Sequence, residues 1–194
     1  MTPTRALLAA VAAGLIAGWP TYRVADAPAA LRPAIQRGDL AIISVQSAIL
    51  RELHAALAEG GPEHALSSCH VDAAGVALQI RQLEGVLVGR TSARLRNPRN
   101  APPAWAADIV ARQSGAKARD VEGFVVDLGD RVGLLRPIAA QPMCASCHGP
   151  ADRISPTVKA KIAARYPGDR ATGFADGDLR GWFWVELPGH GGTK

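Results

Sequence analysis

The 194-residue sequence contains few cysteines, methionines and aromatic residues, and it has no long run of like charges. Three cysteines are too few for a disulfide-rich scaffold, and an odd number leaves at least one thiol outside any internal disulfide. Charged residues make up 20% of the chain against 48% hydrophobic residues, which argues against a disordered polyelectrolyte. The net charge of +5 comes from scattered basic residues, so we expect an acidic protein partner and no nucleic acid.

A long apolar run is found only near the N-terminus, over residues 6–18, and it is short for a membrane span. A small-x-small pattern typical of a cleavage site ends at Ala29. We therefore predict a cleaved signal peptide over 1–29 and a single domain over 30–194, exported most simply to a bacterial periplasm. Retention of the apolar run as a membrane anchor is the alternative. Because no other segment has this character, we expect no stable membrane insertion after cleavage.

Helical periodicity dominates the first half of the mature chain. Apolar residues recur at steps of three and four after Asp39, a predicted N-cap, up to a break at Gly60. Apolar spacing over 76–87 predicts another helix, and a further short helix is expected after Pro103. Residues 90–100 have no period and are predicted to form a loop.

The second half of the chain is rich in β-branched residues. The runs 121–128 and 132–138 flank Gly129, whose place at the first turn position suits a two-residue type II′ hairpin. Ser155 and the proline after it predict a helix start, and residues 181–187 alternate as in a half-buried strand. Helices followed by an antiparallel sheet predict an α+β fold.

One motif indicates a specific chemistry. The sequence Cys144-Ala145-Ser146-Cys147-His148 is a Cys-x-x-Cys-His motif, which attaches c-type haem. Both thiols can add to vinyl groups along one porphyrin edge, and the histidine that follows directly can ligate the iron. Cys144, Cys147 and His148 are therefore the predicted binding residues of one covalent haem c. The predicted export agrees, because covalent attachment of this kind requires export.

The same residues allow three other interpretations. A Cys144–Cys147 disulfide leaves His148 without a role, and in a thioredoxin-like pair the motif would lead directly into a helix, whereas Pro150 intervenes. A zinc site could combine the motif with Cys69, but neighbouring ligands at Cys147 and His148 strain a tetrahedral arrangement. Haem attachment is favoured because it uses all three motif residues.

Cys69 is the cysteine outside the motif. From the residues alone it is either a small buried apolar side chain or a thiolate bound to iron opposite His148. A soft anionic sulfur favours ferric iron, so a bound Cys69 predicts a reduction potential below that of His/Met cytochromes c. Other candidates are His54, His64 and His70, whereas Met143 lies on the tether side and His190 lies in a glycine-rich tail.

Haem also carries two propionates, which need cationic or amide donors when they are buried. Arg90, Arg94 and Arg96 lie together in one predicted loop with Arg99, and they are the predicted propionate ligands. The alternative interpretation of these residues is an ordinary solvated basic loop.

The stretch 88–105, VGRTSARLRNPRNAPPAW, resembles the GRTS…RNP.N.P..W signature of a family of exported c-type haem proteins, a domain of unknown function with a PAS-like fold. Further agreement is found in RPI at 136–138, YPGD at 166–169 and GDLRG at 177–181. The likeness spans 39–187. It implies a PAS-like antiparallel sheet with flanking N-terminal helices, one covalent haem c, and a cysteine as second axial ligand, which maps onto Cys69.

Together these features predict a redox protein rather than an enzyme. We expect a periplasmic mono-haem c-type cytochrome-like protein that serves in electron transfer or redox sensing with a separate redox partner. A haem-based sensor of a diatomic gas is one alternative, and it needs a displaceable sixth ligand. A haem enzyme such as a peroxidase is another, and it needs an acid–base group over an open haem face, for which the sequence offers no clear constellation.

Overall fold

The structure is a computed structural model that describes residues 14–16, 18–68, 77–78, 81–82 and 85–189. Its strands are β1 (Gly14–Ile16), β2 (Trp19–Arg23), β3 (Leu87–Thr91), β4 (Phe124–Asp127), β5 (Arg131–Ala139) and β6 (Leu179–Pro188). Its α-helices are α1 (Arg32–Ser68), α2 (Ala104–Arg112), α3 (Ala145–His148) and α4 (Pro156–Arg165). The strands form one antiparallel sheet in the order β1-β2-β4-β5-β6-β3.

The sheet lies between α1 and α2, because both faces of its central strands carry apolar side chains. One face packs on α1 and forms the larger core cluster, which includes Ile35, Ile42, Val45, Val125, Leu134, Phe183, Val185 and Leu187. The other face packs on α2 and forms a second cluster, which includes Trp105, Ile109, Val126, Leu135 and Trp182. This architecture confirms the predicted α+β fold with a PAS-like antiparallel sheet and flanking helices.

Helix α1 starts earlier than the sequence indicated. It begins at Arg32 rather than after an N-cap at Asp39, because Leu31 and Ile35 continue its core-facing side. Asp39 instead forms a two-pronged ion pair with Arg136 on β5, with N–O distances of 2.7 and 2.6 Å. The predicted break is present, since Gly61 has a φ of +65° and the helix resumes beyond it.

The β4–β5 hairpin confirms the turn prediction. Leu128 N donates to Arg131 O at 2.9 Å across a two-residue loop, and Gly129 has a φ of +89°. A positive φ at the first loop position is the geometry that favours glycine in a type II′ turn. Strand β6 continues the sheet beside β5, with Phe183 and Trp182 facing opposite sides as their alternation predicted.

Strand β3 was not predicted. The sequence pattern predicts a helix at Leu87 and a loop at Arg90, and both predictions are wrong, because β3 pairs with β6 over this stretch. The alternation expected of a strand is interrupted at Gly89, where a Cβ would lie 2.6 Å from the Trp184 ring. Glycine is needed there for packing, and it removes the alternation that identifies a strand. Upstream, 77–78 and 81–82 are helical, whereas the other residues on which the predicted helix rested, Val76, Ile80 and Leu83, lie outside the described residues.

The second half of the predicted signal peptide lies on the sheet. Strand β2 pairs with β4, with Tyr22 opposite Val125, and Thr21 is buried. The predicted cleavage position at Ala29 falls in a short 3₁₀ turn before α1. Residues 1–13 lie outside the described residues, and cleavage stays a prediction.

The apolar composition of α1 bears on the expectation that only the N-terminal run could span a membrane. By length and composition alone, the helical stretch 29–66 is apolar enough to cross a bilayer, so the expectation that no segment beyond the leader has this character is wrong. A core helix of a soluble protein passes the same test, and Ile42, Val45 and Ile49 of α1 pack on the sheet. Leu40 and Ile43 lie on the outer side and are exposed.

Candidate functional site

The Cys-x-x-Cys-His motif lies on a short helical segment just after β5. A 3₁₀ turn over Pro142–Cys144 leads into α3, and the Gln141 N–H donates to Cys144 Sγ at 3.4 Å. Residues three apart in a helix share a face, so Cys144 and Cys147 can present their sulfurs to one ligand. Both thiols are free and half-buried. The predicted disulfide alternative therefore has no counterpart in the structure.

His148 at the end of α3 is held in the form that binds a metal. Its Nδ1 lies 2.7 Å from the carbonyl oxygen of Ala171, which fixes the proton on Nδ1 and leaves the Nε2 lone pair as a ligand. Burial, with a further contribution from the Arg180 charge, lowers the pKa of His148 to about 2. The imidazole is thus neutral at physiological pH, as a metal ligand must be.

An ion pair fastens this segment to the loop that carries Ala171. Arg96 Nη2 donates to Cys147 O at 2.6 Å and to Asp169 Oδ2 at 3.1 Å. The other oxygen of Asp169 accepts from the Ala171 N–H at 2.8 Å. Because both side chains are only about 10% exposed, at 11% for Arg96 and 9% for Asp169, solvent screens the pair weakly. Arg96 and Asp169 therefore fix the carbonyl that orients His148.

The same loop satisfies the carbonyl groups at the end of α3. Phe174 N donates to His148 O at 2.9 Å, and Gly173 N donates to Gly149 O at 2.7 Å. The last carbonyls of a helix have no partner within the helix, so these bonds replace it. Residues 169–174 thus hold both the backbone and the ring of His148.

Four arginines lie close to His148 or Phe174. Of the predicted propionate ligands, Arg94 lies with its guanidinium carbon 4.0 Å from the Phe174 ring centroid, and the charge of Arg90, on β3, acts on His148. Arg96 is not part of a solvated loop, and its buried Nε–H has no acceptor among the described residues. Arg180 also lies over Phe174, at 5.1 Å, and its Nη2 is 3.4 Å from His148 Nε2.

Helix α4 covers the other side of the motif. Its N-cap is Ser155, whose Oγ accepts from Val158 N at 3.2 Å as predicted. Val158 and Ile162 form a small apolar cluster with Ile154, and Cys147 and Leu66 pack against it. Burial raises the pKa of the Cys147 thiol. The end of α1 and the Cys-x-x-Cys-His motif therefore meet at one cluster.

The remaining candidate ligands are distributed as follows. Cys69, His70 and His190 lie outside the described residues. His54 is exposed on α1, and His64 is exposed with its Nε2 3.1 Å from Glu59 Oε2. Within the described part of the chain, no three His, Cys, Asp or Glu side chains form a metal-binding group. The zinc alternative depends on Cys69, so it rests on a residue outside that part.

Sequence reasoning did not single out Arg180, Asp169 or Phe174. Arg180 and Asp169 were quoted only as letters of the GDLRG and YPGD segments, without a role. Their contacts with Arg96 and His148 join residues 32 to 73 positions apart. A single sequence holds no local signal for such pairs, although the glycine and proline around Asp169 do indicate a constrained loop.

Comparison with known proteins gives two matches. The family model of the Tll0287-like family, described as Tll0287, matches residues 27–188. The crystal structure of the cyanobacterial heme-protein Tll0287 superposes with a TM-score of 0.61 at 25% identity, covering 80% of this chain and 95% of that chain. No curated protein matches the sequence significantly. Since the family model covers most of the sequence, including the whole described site, this chain belongs to the Tll0287-like family.

Proposed function

We propose that this chain is an exported mono-haem c-type cytochrome-like protein that works by redox change. Cys144 and Cys147 would hold the haem as thioethers, and His148 would ligate the iron. The bound haem supplies a one-electron Fe³⁺/Fe²⁺ couple. The observation that carries the proposal is the hydrogen bond of 2.7 Å between His148 Nδ1 and Ala171 O, because it leaves Nε2 as the ligand atom. The description of Tll0287 as a heme-protein supports haem as the group.

The rigid surroundings of His148 support a redox role over catalysis. The Arg96–Asp169 pair and the backbone bonds of 169–174 hold the imidazole on several sides, so little has to move when the charge of a bound metal changes. A peroxidase needs a free acid–base group beside the metal. Asp169 is already bound to Arg96, and among the described histidines His54 and His64 are exposed on α1.

Cys69 is proposed as the second axial ligand, and the position of Leu66 supports this. Leu66 packs against the same apolar cluster as Cys147. Cys69 follows only three residues after Leu66, and three residues span at most about 10 Å, so Cys69 lies close enough to meet a group held at the motif. A thiolate opposite a histidine stabilises ferric iron, which gives a low reduction potential. An iron with two protein ligands also disfavours gas sensing, unless the thiolate is released on reduction.

The charge next to the motif supports an acidic redox partner. Helix α4 packs on Cys147 through its apolar side, and its other residues include Lys159, Lys161 and Arg165 but no acidic residue. A basic surface beside a redox centre attracts an acidic protein and speeds its encounter. Export to the periplasm belongs to the same proposal. Covalent haem attachment requires export, and the N-terminal apolar run indicates it.

The experiment is an absorption and EPR spectrum of purified protein, made in cells that carry the haem c maturation machinery. Wild type is compared with Cys69→Ala, and His54→Ala, which removes an exposed side chain of α1, serves as the control. We expect a six-coordinate low-spin ferric haem with thiolate features in wild type and in His54→Ala. These features should be lost in Cys69→Ala.

Each of the other possible outcomes would contradict a different part of the proposal. Wild type without a Soret band would overturn the haem assignment. Identical spectra for wild type and Cys69→Ala would overturn the thiolate ligand and leave the covalent haem in place. Rapid binding of carbon monoxide by the reduced wild type would overturn the redox role in favour of gas sensing.

A further inference from the structure

Arg180 lies at the atom of His148 that the proposed function assigns to iron. Its Nη2 is 3.4 Å from His148 Nε2, whereas the opposite ring nitrogen is engaged with Ala171. Since Nδ1 donates to the carbonyl, Nε2 accepts the hydrogen bond from Arg180. One lone pair cannot bind both a guanidinium proton and a metal ion. Arg180 must therefore take another partner once His148 ligates iron.

Two arginines of this site, Arg94 and Arg180, are held in place by an aromatic ring and by a serine. The guanidinium groups of Arg94 and Arg180 lie 4.0 and 5.1 Å from the centroid of the Phe174 ring. Ser92 fixes both backbones, because its Oγ donates to Arg180 O at 2.9 Å and accepts from Arg94 N at 3.1 Å. Within the described residues neither arginine forms an ion pair with a carboxylate.

This concentration of positive charge is unfavourable without an anion. The charges of Arg96 and Arg90 also act on the guanidinium group of Arg180, which is partly buried. Asp169, the carboxylate whose charge acts on Arg180, is already bound to Arg96. Arg96 adds a buried Nε–H that has no acceptor among the described residues. Planar guanidinium groups bind carboxylates and phosphates through two parallel hydrogen bonds, so an oxyanion is the partner that fits these arginines.

We infer that Arg180, together with Arg94, binds a propionate carboxylate of the haem and leaves His148 when the iron is ligated. This inference rests on the proposed function. Haem fits the site because one molecule brings both the metal that displaces Arg180 from Nε2 and the carboxylates that accept its hydrogen bonds. Arg180 was not among the predicted propionate ligands, and Arg96, which was, has most of its hydrogen bonds committed to Asp169 and the backbone.

The test uses the haem-loaded protein and measures the reduction potential as a function of pH. Deprotonation of a propionate stabilises ferric iron, so the potential falls as the pH rises through the propionate pKa. A neighbouring arginine keeps that pKa low. In Arg180→Gln the pH range over which the reduction potential falls should therefore lie about 1–3 units higher than in wild type. Arg180→Lys keeps the charge and should stay close to wild type, and Arg153→Gln, at an exposed position near the motif, should not change.

A second measurement gives a result on the wild-type protein alone, and Arg180→Gln serves as a comparison. The carboxylate-bending bands in the resonance Raman spectrum of wild type should have the frequency of a strongly hydrogen-bonded propionate, and Arg180→Gln should shift one of them. Propionate bands of the free, solvated type in wild type would overturn the inference, even if Arg180→Gln does not fold. So would a pH profile of Arg180→Gln that matches wild type, or an equal shift in Arg153→Gln.

A final arm separates the haem carboxylates from a solution anion. If propionates fill the site, inorganic phosphate at constant ionic strength leaves the potential of wild type unchanged. A phosphate-dependent potential that disappears in Arg180→Gln would assign the arginines to a free anion and overturn the inference. Wild type that carries no haem would instead overturn the proposed function itself, so the two failures are distinguishable.

Discussion

The Nδ1 atom of His148 lies 2.7 Å from the carbonyl oxygen of Ala171, and this contact fixes which ring nitrogen can bind a metal. The carbonyl is in turn positioned by Asp169, which accepts from the Ala171 N–H, and by Arg96, which binds Asp169. Hydrogen-bond partners of this kind orient a metal-binding histidine and set its basicity. These contacts within the chain thus orient the His148 ring without a bound metal ion.

The Arg96–Asp169 pair should be the most sensitive part of this network. Asp169→Asn leaves a buried guanidinium without its counter-charge, so we expect a loss of about 3 kcal/mol in the free energy of unfolding. Arg119→Gln, which removes one partner of an exposed ion pair with Asp120, should change stability by less than about 0.5 kcal/mol. Urea unfolding measures both variants. Equal effects would show that burial of the Arg96–Asp169 pair has no energetic consequence.

A second ion pair joins α1 to the strand that leads into the motif. Asp39 and Arg136 form two hydrogen bonds, but each side chain is about one-third exposed, at 34% and 29%. Solvent screening then limits their coupling, and a double-mutant cycle with Asp39→Asn and Arg136→Gln should give about 1 kcal/mol. A coupling energy near zero would mean that α1 is held by apolar packing alone.

The sheet should not tolerate a side chain at Gly133. A Cβ at this position would lie 2.9 Å from the ring of Trp105, which is buried in the core cluster between α2 and the sheet. We expect Gly133→Ala to lower the free energy of unfolding by about 1–3 kcal/mol. Gly168→Ala is the matched control, because no heavy atom lies within 4 Å of its Cβ position and its φ is not positive. A stable Gly133→Ala variant would contradict the packing of α2 on β5.

One carboxylate near the start of β6 predicts a pH dependence. The hydrogen bond from Lys117, followed by that from the Ala175 N–H, holds the pKa of Asp178 below its usual value of 3.8. A lowered folded-state pKa stabilises the protein above the unfolded value, and this contribution is lost as the pH falls through the folded value. Asp178→Asn should cost about 1 kcal/mol at neutral pH. The difference in unfolding free energy between Asp178→Asn and wild type should shrink in urea titrations at pH values below the folded-state pKa of Asp178. A difference that stays constant with pH would contradict the role assigned to the Asp178 carboxylate.

Local signals in the sequence predicted the elements that depend on near neighbours. The β4–β5 turn follows from Gly129, and α4 follows from Ser155 and the proline after it. The motif itself is a contiguous pattern, so Cys144, Cys147 and His148 could be identified without knowledge of the fold. In each case the physical cause lies within a few residues of the signal.

Features that depend on distant partners were missed. Strand β3 was not predicted because Gly89 is chosen for its contact with Trp184, a residue of another strand. Likewise, the residue type of Arg96 predicts an anion-binding role, but its pairing with Asp169 could not be predicted, since the two are 73 residues apart. The start of α1 was placed too late because Asp39 resembles an N-cap, whereas its partner is on β5. Such pairings are set by the tertiary structure and leave no trace in neighbouring residues.

The most direct test of the central claim is the intact mass of the purified protein after expression with the haem c maturation machinery, together with its pyridine haemochrome spectrum. We predict one haem per chain, retained under denaturing conditions, with the spectrum of a haem attached through two thioethers. Replacing Cys144 or Cys147 singly by alanine should give the spectrum of a haem that keeps one vinyl group, or no haem. A wild-type mass equal to that of the bare polypeptide would contradict covalent attachment at this motif.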